Sequence, residues 1–118
     1  MTIVKEYFDN ISYMSSAGMN HNLSFEELCG IVSPIAKKRG VDKIYLFGSR
    51  ARGDNDAESD YDFYIVPGSI KSLIGLSGLM QDLEEALGED VDIISEDPHI
   101  KEDFLQEVLR DRRLVYEA

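Results

Sequence analysis

The chain is poor in cysteine, in cations and in long apolar runs, and each shortage removes a class of protein. A single Cys29 among 118 residues cannot form an internal disulfide, which excludes a disulfide-stapled scaffold. Its place on the apolar side of a predicted helix makes it a small core residue rather than a nucleophile. Twelve Lys and Arg stand against 23 Asp and Glu, a formal charge of −11. That balance repels a phosphate backbone and removes the electrostatic attraction behind most non-specific nucleic-acid affinity. No direct nucleic-acid partner is expected. No apolar run approaches the roughly 20 residues that cross a bilayer, and no charged-then-apolar leader opens the sequence. The expectation is a cytoplasmic protein with no membrane contact.

What remains is enough for one ordinary domain: 13.3 kDa with 43% hydrophobic residues can bury a single core. Ser24 and Glu27 form a capping-box pattern, Phe25, Leu28, Ile31, Val32 and Ile35 recur at helical spacing, and Gly40 stops the helix behind Lys37, Lys38 and Arg39. A strand follows over Lys43–Phe47, then a glycine turn, then a second strand over Tyr61–Val66 ended by Pro67-Gly68. Leu73, Leu76, Met80, Leu83 and Leu87 mark a longer helix, weakened at its start by Gly75 and Gly78. A third strand runs over Val91–Ile94. Asp97-Pro98 reads as an N-cap and first helical position, opening a helix with Ile100, Phe104, Leu105, Val108 and Leu109 on one face. The basic residues Arg110, Arg112 and Arg113 read as helix C-terminal charge. A short strand at Leu114–Tyr116 closes the chain. This pattern predicts a two-layer α/β (α+β) domain, a small mixed sheet with flanking helices, over residues 21–118.

Residues 1–20 stand apart. Ile3, Val4, Tyr7, Phe8, Ile11 and Met14 make one apolar helical stripe, and Ser15-Ser16-Ala17-Gly18 with Asn20-His21-Asn22 reads as a flexible connector. An N-terminal helical arm and linker are implied. The arm either folds back on its own domain or meets a partner, or else Met19 is the natural start and the arm is dispensable.

The chemistry gathers in "YLFGSRARGDNDAESDYDFYIV", Tyr45 to Val66. Asp60 and Asp62, two apart in a strand, project to the same face while Tyr61 and Phe63 point to the other. Pairing two negative charges costs several kcal/mol unless a cation is supplied, and hard oxygen ligands at this spacing suit Mg²⁺. Gly48-Ser49 follows a strand and precedes a possible helical turn, so its backbone N–H groups and the Ser49 hydroxyl can hold a phosphate chain. Asp92 interrupts the otherwise apolar Val91-Asp92-Ile93-Ile94. A carboxylate inside a buried strand needs compensation, and a metal shared with Asp60 and Asp62 provides it. Arg50 and Arg52 either neutralise phosphate charge or pair with nearby acids.

"FGSRARGDNDAESDYDFYIV" with the later "VDII" resembles the minimal nucleotidyltransferase (MNT) group of the polymerase-beta-like nucleotidyltransferase superfamily. The pattern is a hydrophobic residue, Gly-Ser, about ten residues, Asp-x-Asp, and a third Asp on a later strand. It covers roughly Leu23 to the C-terminus. The resemblance implies a nucleotidyltransferase fold and a nucleoside triphosphate, ATP, held by the Gly48-Ser49 turn. It implies two Mg²⁺ ions on Asp60, Asp62 and Asp92, with Asp92 helping to deprotonate an acceptor hydroxyl that attacks the α-phosphorus. Larger members of the superfamily append an acceptor-binding helical domain, for which this chain has no room, so the acceptor is expected from outside. MNT proteins are typically encoded beside a helical HEPN-family ribonuclease toxin, and the resemblance implies an antitoxin that neutralises such a toxin by transferring AMP to one of its tyrosines. Two other readings stand beside it: a small-molecule, aminoglycoside-type nucleotidyltransferase, and a partner-binding module without turnover.

Overall fold

The computed structural model describes residues 23–56, 59–97 and 101–118. The arm expected at residues 1–20 and the linker behind it lie outside these. Helix α1, Phe25–Arg39, begins on the expected capping box: the Ser24 hydroxyl accepts from the Glu27 N–H at 3.0 Å and the Glu27 carboxylate accepts from the Ser24 N–H at 2.9 Å. It ends on Gly40 at φ 75°, with three cations in the last turn against the negative end of the dipole. Strand β1, Lys43–Phe47, runs straight into a one-turn helix α2, Gly48–Arg52, and strand β2 follows at Tyr61–Val66. Helix α3, Leu73–Leu87, strand β3, Val91–Ser95, helix α4, Glu102–Asp111, and strand β4, Arg113–Glu117, complete the chain. No helix among the described residues is long and apolar enough to cross a membrane.

The four strands form one mixed sheet in the order β3-β2-β1-β4. β1 pairs antiparallel with both β2 and β4, whereas β2 and β3 are parallel, so the α3 crossover joins the parallel pair. Alternation along each strand decides which face it serves. Ile44 and Leu46 of β1 and Phe63 and Ile65 of β2 are buried with Leu28, Val32 and Ala36 of α1 and Leu79 and Leu83 of α3. α1 and α3 therefore cover one face. Between them the Arg39 guanidinium bonds Asp82 at 2.9 Å and crosses α3 at Gly78, where a Cβ would stand 2.7 Å from an Arg39 nitrogen.

The other face carries Tyr45 and Phe47 of β1 and Asp62 of β2, with Phe47 opposite Asp62 in register. Phe104 of α4 meets Phe47 edge-on at 6.0 Å, which pins α4 over this end of the sheet and buries Val108. The start expected for α4 is corrected. Its N-cap is Lys101, in extended conformation at ψ 136°, not Asp97, and residues 98–100 lie outside the described residues. The acids Glu102 and Asp103 of the first turn supply the charge that a capping Asp would have brought. The cations behind α4 are also placed differently from the expectation. Arg110 lies in the last turn, but Arg112 stacks on Tyr45 at 4.4 Å and Arg113 on Phe25 at 3.7 Å, each covering an aromatic ring.

Candidate active site

β1 delivers the chain to the site and Gly48 turns it. Gly48 sits at φ 75°, a conformation that favours glycine, and a Cβ there would run into the Asp62 carboxylate. The glycine is thus required twice, for the turn and for the seat of the acid. Ser49 follows in α2, and the Gly53 and Asp54 N–H groups both donate to its carbonyl, at 2.9 and 3.1 Å.

β2 begins with Tyr61 buried at 3% exposure and Phe63 at 0%, their rings stacked at 6.0 Å. With those rings turned into the core, Asp62 faces the opposite side, where the parallel pairing sets it directly across from Asp92 of β3. Four causes push the Asp62 carboxyl above its ordinary value, against a smaller opposing effect of the Arg52 charge: burial first, then the negative charge of Asp92, then that of Asp60, then a side-chain hydrogen bond with Asp92. The structure therefore sets Asp62 against Asp92 and within electrostatic reach of Asp60, but Asp60 is exposed and does not line the cavity that Asp62 and Asp92 share. One expectation about Asp92 is corrected. β3 is an edge strand among the described residues and Asp92 is exposed, so water solvates its outer side, while on its inner side it meets the like charge of Asp62 across the ladder.

A cavity of about 580 Å³ opens beside these groups, lined by Gly48, Ser49, Arg52, Asp62 and Asp92 and walled by Phe104, Glu107 and Asp111 of α4. That is the size range of small-ligand sites. Arg52 is held there by two acids, its Nε donating to Asp54 at 3.1 Å and an Nη to Asp111 at 3.2 Å. Asp111, with its side chain only 11% exposed, was not singled out from the sequence, because 59 residues separate it from Arg52 and nothing local signals the pair. Glu107 lines the same wall through the packing of α4 on the sheet, which no local sequence signal announces. Arg50 is not brought to this cavity. Its Nε donates to the Ser59 carbonyl at 2.9 Å and its guanidinium lies 4.1 Å from the Tyr61 ring centre, beside a smaller cavity of about 330 Å³.

Among the described residues no three His, Cys, Asp or Glu side chains are set as a ready metal cage. The donor set nevertheless fits Mg²⁺, which is usually held by one or two carboxylates together with waters and substrate phosphates. A carboxyl whose proton affinity is raised by burial and by two like charges marks a place where a cation relieves repulsion.

The family described as "Polymerase beta, Nucleotidyltransferase" matches residues 31–118. A provisionally named protein adenylyltransferase of Methanocaldococcus jannaschii is 34% identical over 90 residues, which cover 74% of this chain and 97% of that one. Among solved structures, a provisionally named minimal nucleotidyltransferase superposes with a TM-score of 0.64 at 29% identity, covering 77% of this chain and 95% of its own. The MNT antitoxin complex with tri-AMPylated HEPN toxin from Shewanella oneidensis gives a TM-score of 0.61 at 20% identity, with 80% of this chain and 74% of that one covered. A toxin–antitoxin structure with AMP-PNP gives 0.61 at 24%, covering 72% and 69%. These last two likenesses carry the fold alone.

Proposed function

The chain belongs to the polymerase-beta nucleotidyltransferase family, and from that premise we propose that it is an MNT-type antitoxin that transfers AMP from ATP to a tyrosine of a HEPN-family toxin. The observation that carries this reading is the meeting of Asp62 and Asp92 across the β2–β3 ladder beside the Gly48-Ser49 turn. A protein acceptor is supported by the 34%-identical relative named for protein adenylyl transfer and by similar folds in structures described as toxin–antitoxin complexes.

In this reading the Gly48-Ser49 turn and the Ser49 hydroxyl receive the phosphate chain, and Arg52, on the same cavity wall, offsets its charge. Asp60, Asp62 and Asp92 hold Mg²⁺, which when bound neutralises the phosphate oxygens and orients them. Asp92, exposed on the edge strand, is open to an acceptor arriving from solvent and takes its hydroxyl proton. The new bond joins the acceptor oxygen to the α-phosphorus, the bond to the β-phosphate oxygen breaks, and pyrophosphate leaves. Incubation with the toxin and ATP labelled at the α- or the γ-phosphate tests this directly. Label should reach the toxin from the α-position and require Mg²⁺ or Mn²⁺. Label from the γ-position would mean phosphoryl transfer and sink the reading.

A further inference from the structure

Two parts of the site come from separate stretches of chain. The Gly48-Ser49 turn belongs to the β1–α2 junction, whereas Asp60 immediately precedes β2 and Asp62 is its second residue. Transfer needs both at a fixed mutual distance, because misplacement by even an ångström is costly to chemistry. The β1–β2 ladder fixes Asp62, which stands opposite Phe47, but it ends there, and Asp60 reaches the turn along the chain only through residues 53–60. Asp56 and Ser59 bond each other within that loop, the Asp56 N–H donating to the Ser59 hydroxyl at 3.0 Å and that hydroxyl to the Asp56 carboxylate at 3.2 Å. Those bonds shape the loop but do not tie it to α2.

Arg50 does tie it. It leaves α2 one residue after Ser49, donates its Nε to the carbonyl of Ser59 at 2.9 Å, and lays its guanidinium over the Tyr61 ring at 4.1 Å. Ser59 and Tyr61 are the two neighbours of Asp60. The Tyr61 ring is itself fixed, stacked on Phe63 and 3% exposed, and the Tyr61 N–H donates to the Asp90 carbonyl at 3.0 Å. The geometry points to Arg50 as a positioning residue: a planar strut that sets the aspartate-bearing start of β2 against the phosphate turn, and not a ligand of the phosphates. The inference rests on the nucleotidyl-transfer reading and adds to it a part that the charge of Arg50 would not disclose.

Shape separates the two roles, because a phosphate accepts a lysine as a point charge, but a lysine reproduces neither the flat stack nor the Nε bond. ATP binding to the natural protein, Arg50→Lys, Arg50→Met and Arg52→Met is measured by calorimetry in chelator and in excess Mg²⁺, with thermal melts in chelator to verify folding. Mg²⁺ should tighten ATP binding to the natural protein. Arg50→Lys and Arg50→Met should keep the chelator affinity and both weaken the Mg²⁺-dependent tightening by about 10- to 100-fold, as supports of metal ligands do. Arg52→Met should instead lose affinity already in chelator. If Arg50→Met does not fold, the lysine variant carries the test alone. Arg50→Lys behaving like the natural protein, or losing its affinity in chelator, overturns the strut. Absence of any Mg²⁺ effect in the natural protein would overturn the transfer reading itself, and no Arg50 variant is needed to see it.

Discussion

Asp62 is the residue on which the site's electrostatics turn. Burial and the charges of Asp92 and Asp60 raise its carboxyl pKa in the folded chain, so the fold binds more protons than the unfolded chain between the ordinary and the raised value. The stability this group contributes is therefore complete below the ordinary carboxyl value and lost as pH rises through the raised one. At neutral pH without metal the charged Asp62 opposes folding. Asp62→Asn should then stabilise the metal-free protein by on the order of 1 kcal/mol, a modest figure because the carboxyl is part-exposed and solvent screens it. The gain should shrink as pH falls into the carboxyl range, where the natural side chain is protonated too. Activity should collapse, and Mg-ATP should raise the melting temperature of the natural protein far more than that of the variant. Melts of both proteins at neutral and acid pH, with and without Mg-ATP, provide the comparison. A variant that melts lower in chelator at neutral pH and responds equally to Mg-ATP would make Asp62 a structural acid.

Elements announced by local chemistry were readable in the sequence, and contacts made by tertiary register were not. The Ser24–Glu27 box is a property of four consecutive residues, and α1 starts on it. Asp62 pairs with Asp92 because β2 and β3 are parallel, which no short stretch encodes. The same blindness made Asp92 look buried: the run Val91-Asp92-Ile93-Ile94 reads as interior until the strand order puts it at the sheet edge. Asp97-Pro98 carried a strong local start signal, yet α4 begins only after Lys101, which is extended. Arg50 and Arg52 look equivalent in sequence, yet one reaches Tyr61 and the other Asp111. Where local signals do decide, they carry measurable stability. Ser24→Ala removes the hydroxyl that accepts from the Glu27 N–H but keeps the backbone N–H that donates to the Glu27 carboxylate, and should cost about 1 kcal/mol. Because Ser24 lies at the far end of α1 from Arg39 and lines no part of the larger cavity, Mg-ATP should stabilise that variant as much as the natural protein. A selective loss of the Mg-ATP response would show that α1 feeds the site.

At the scale of the whole molecule, the family match begins at residue 31 and runs to the C-terminus, and every residue proposed for the chemistry falls inside it. The apolar stripe of Ile3, Val4, Tyr7, Phe8, Ile11 and Met14 falls before it. A chain of charge −11 meets a basic partner with favourable long-range attraction, but attraction alone gives on-rate more than lifetime. An apolar stripe is the kind of surface that slows dissociation, because its burial removes hydrocarbon from water. We therefore propose that residues 1–20 serve the partner rather than the nucleotide. Deleting residues 1–18 should leave the Mg²⁺-dependent tightening of ATP binding unchanged while the toxin complex dissociates faster. Added salt should slow association of the full-length and shortened proteins alike, since the acidic surface is common to both. If the shortened protein unfolds and loses ATP binding together, the stripe is a buried part of the domain's own core and the division of labour proposed here fails.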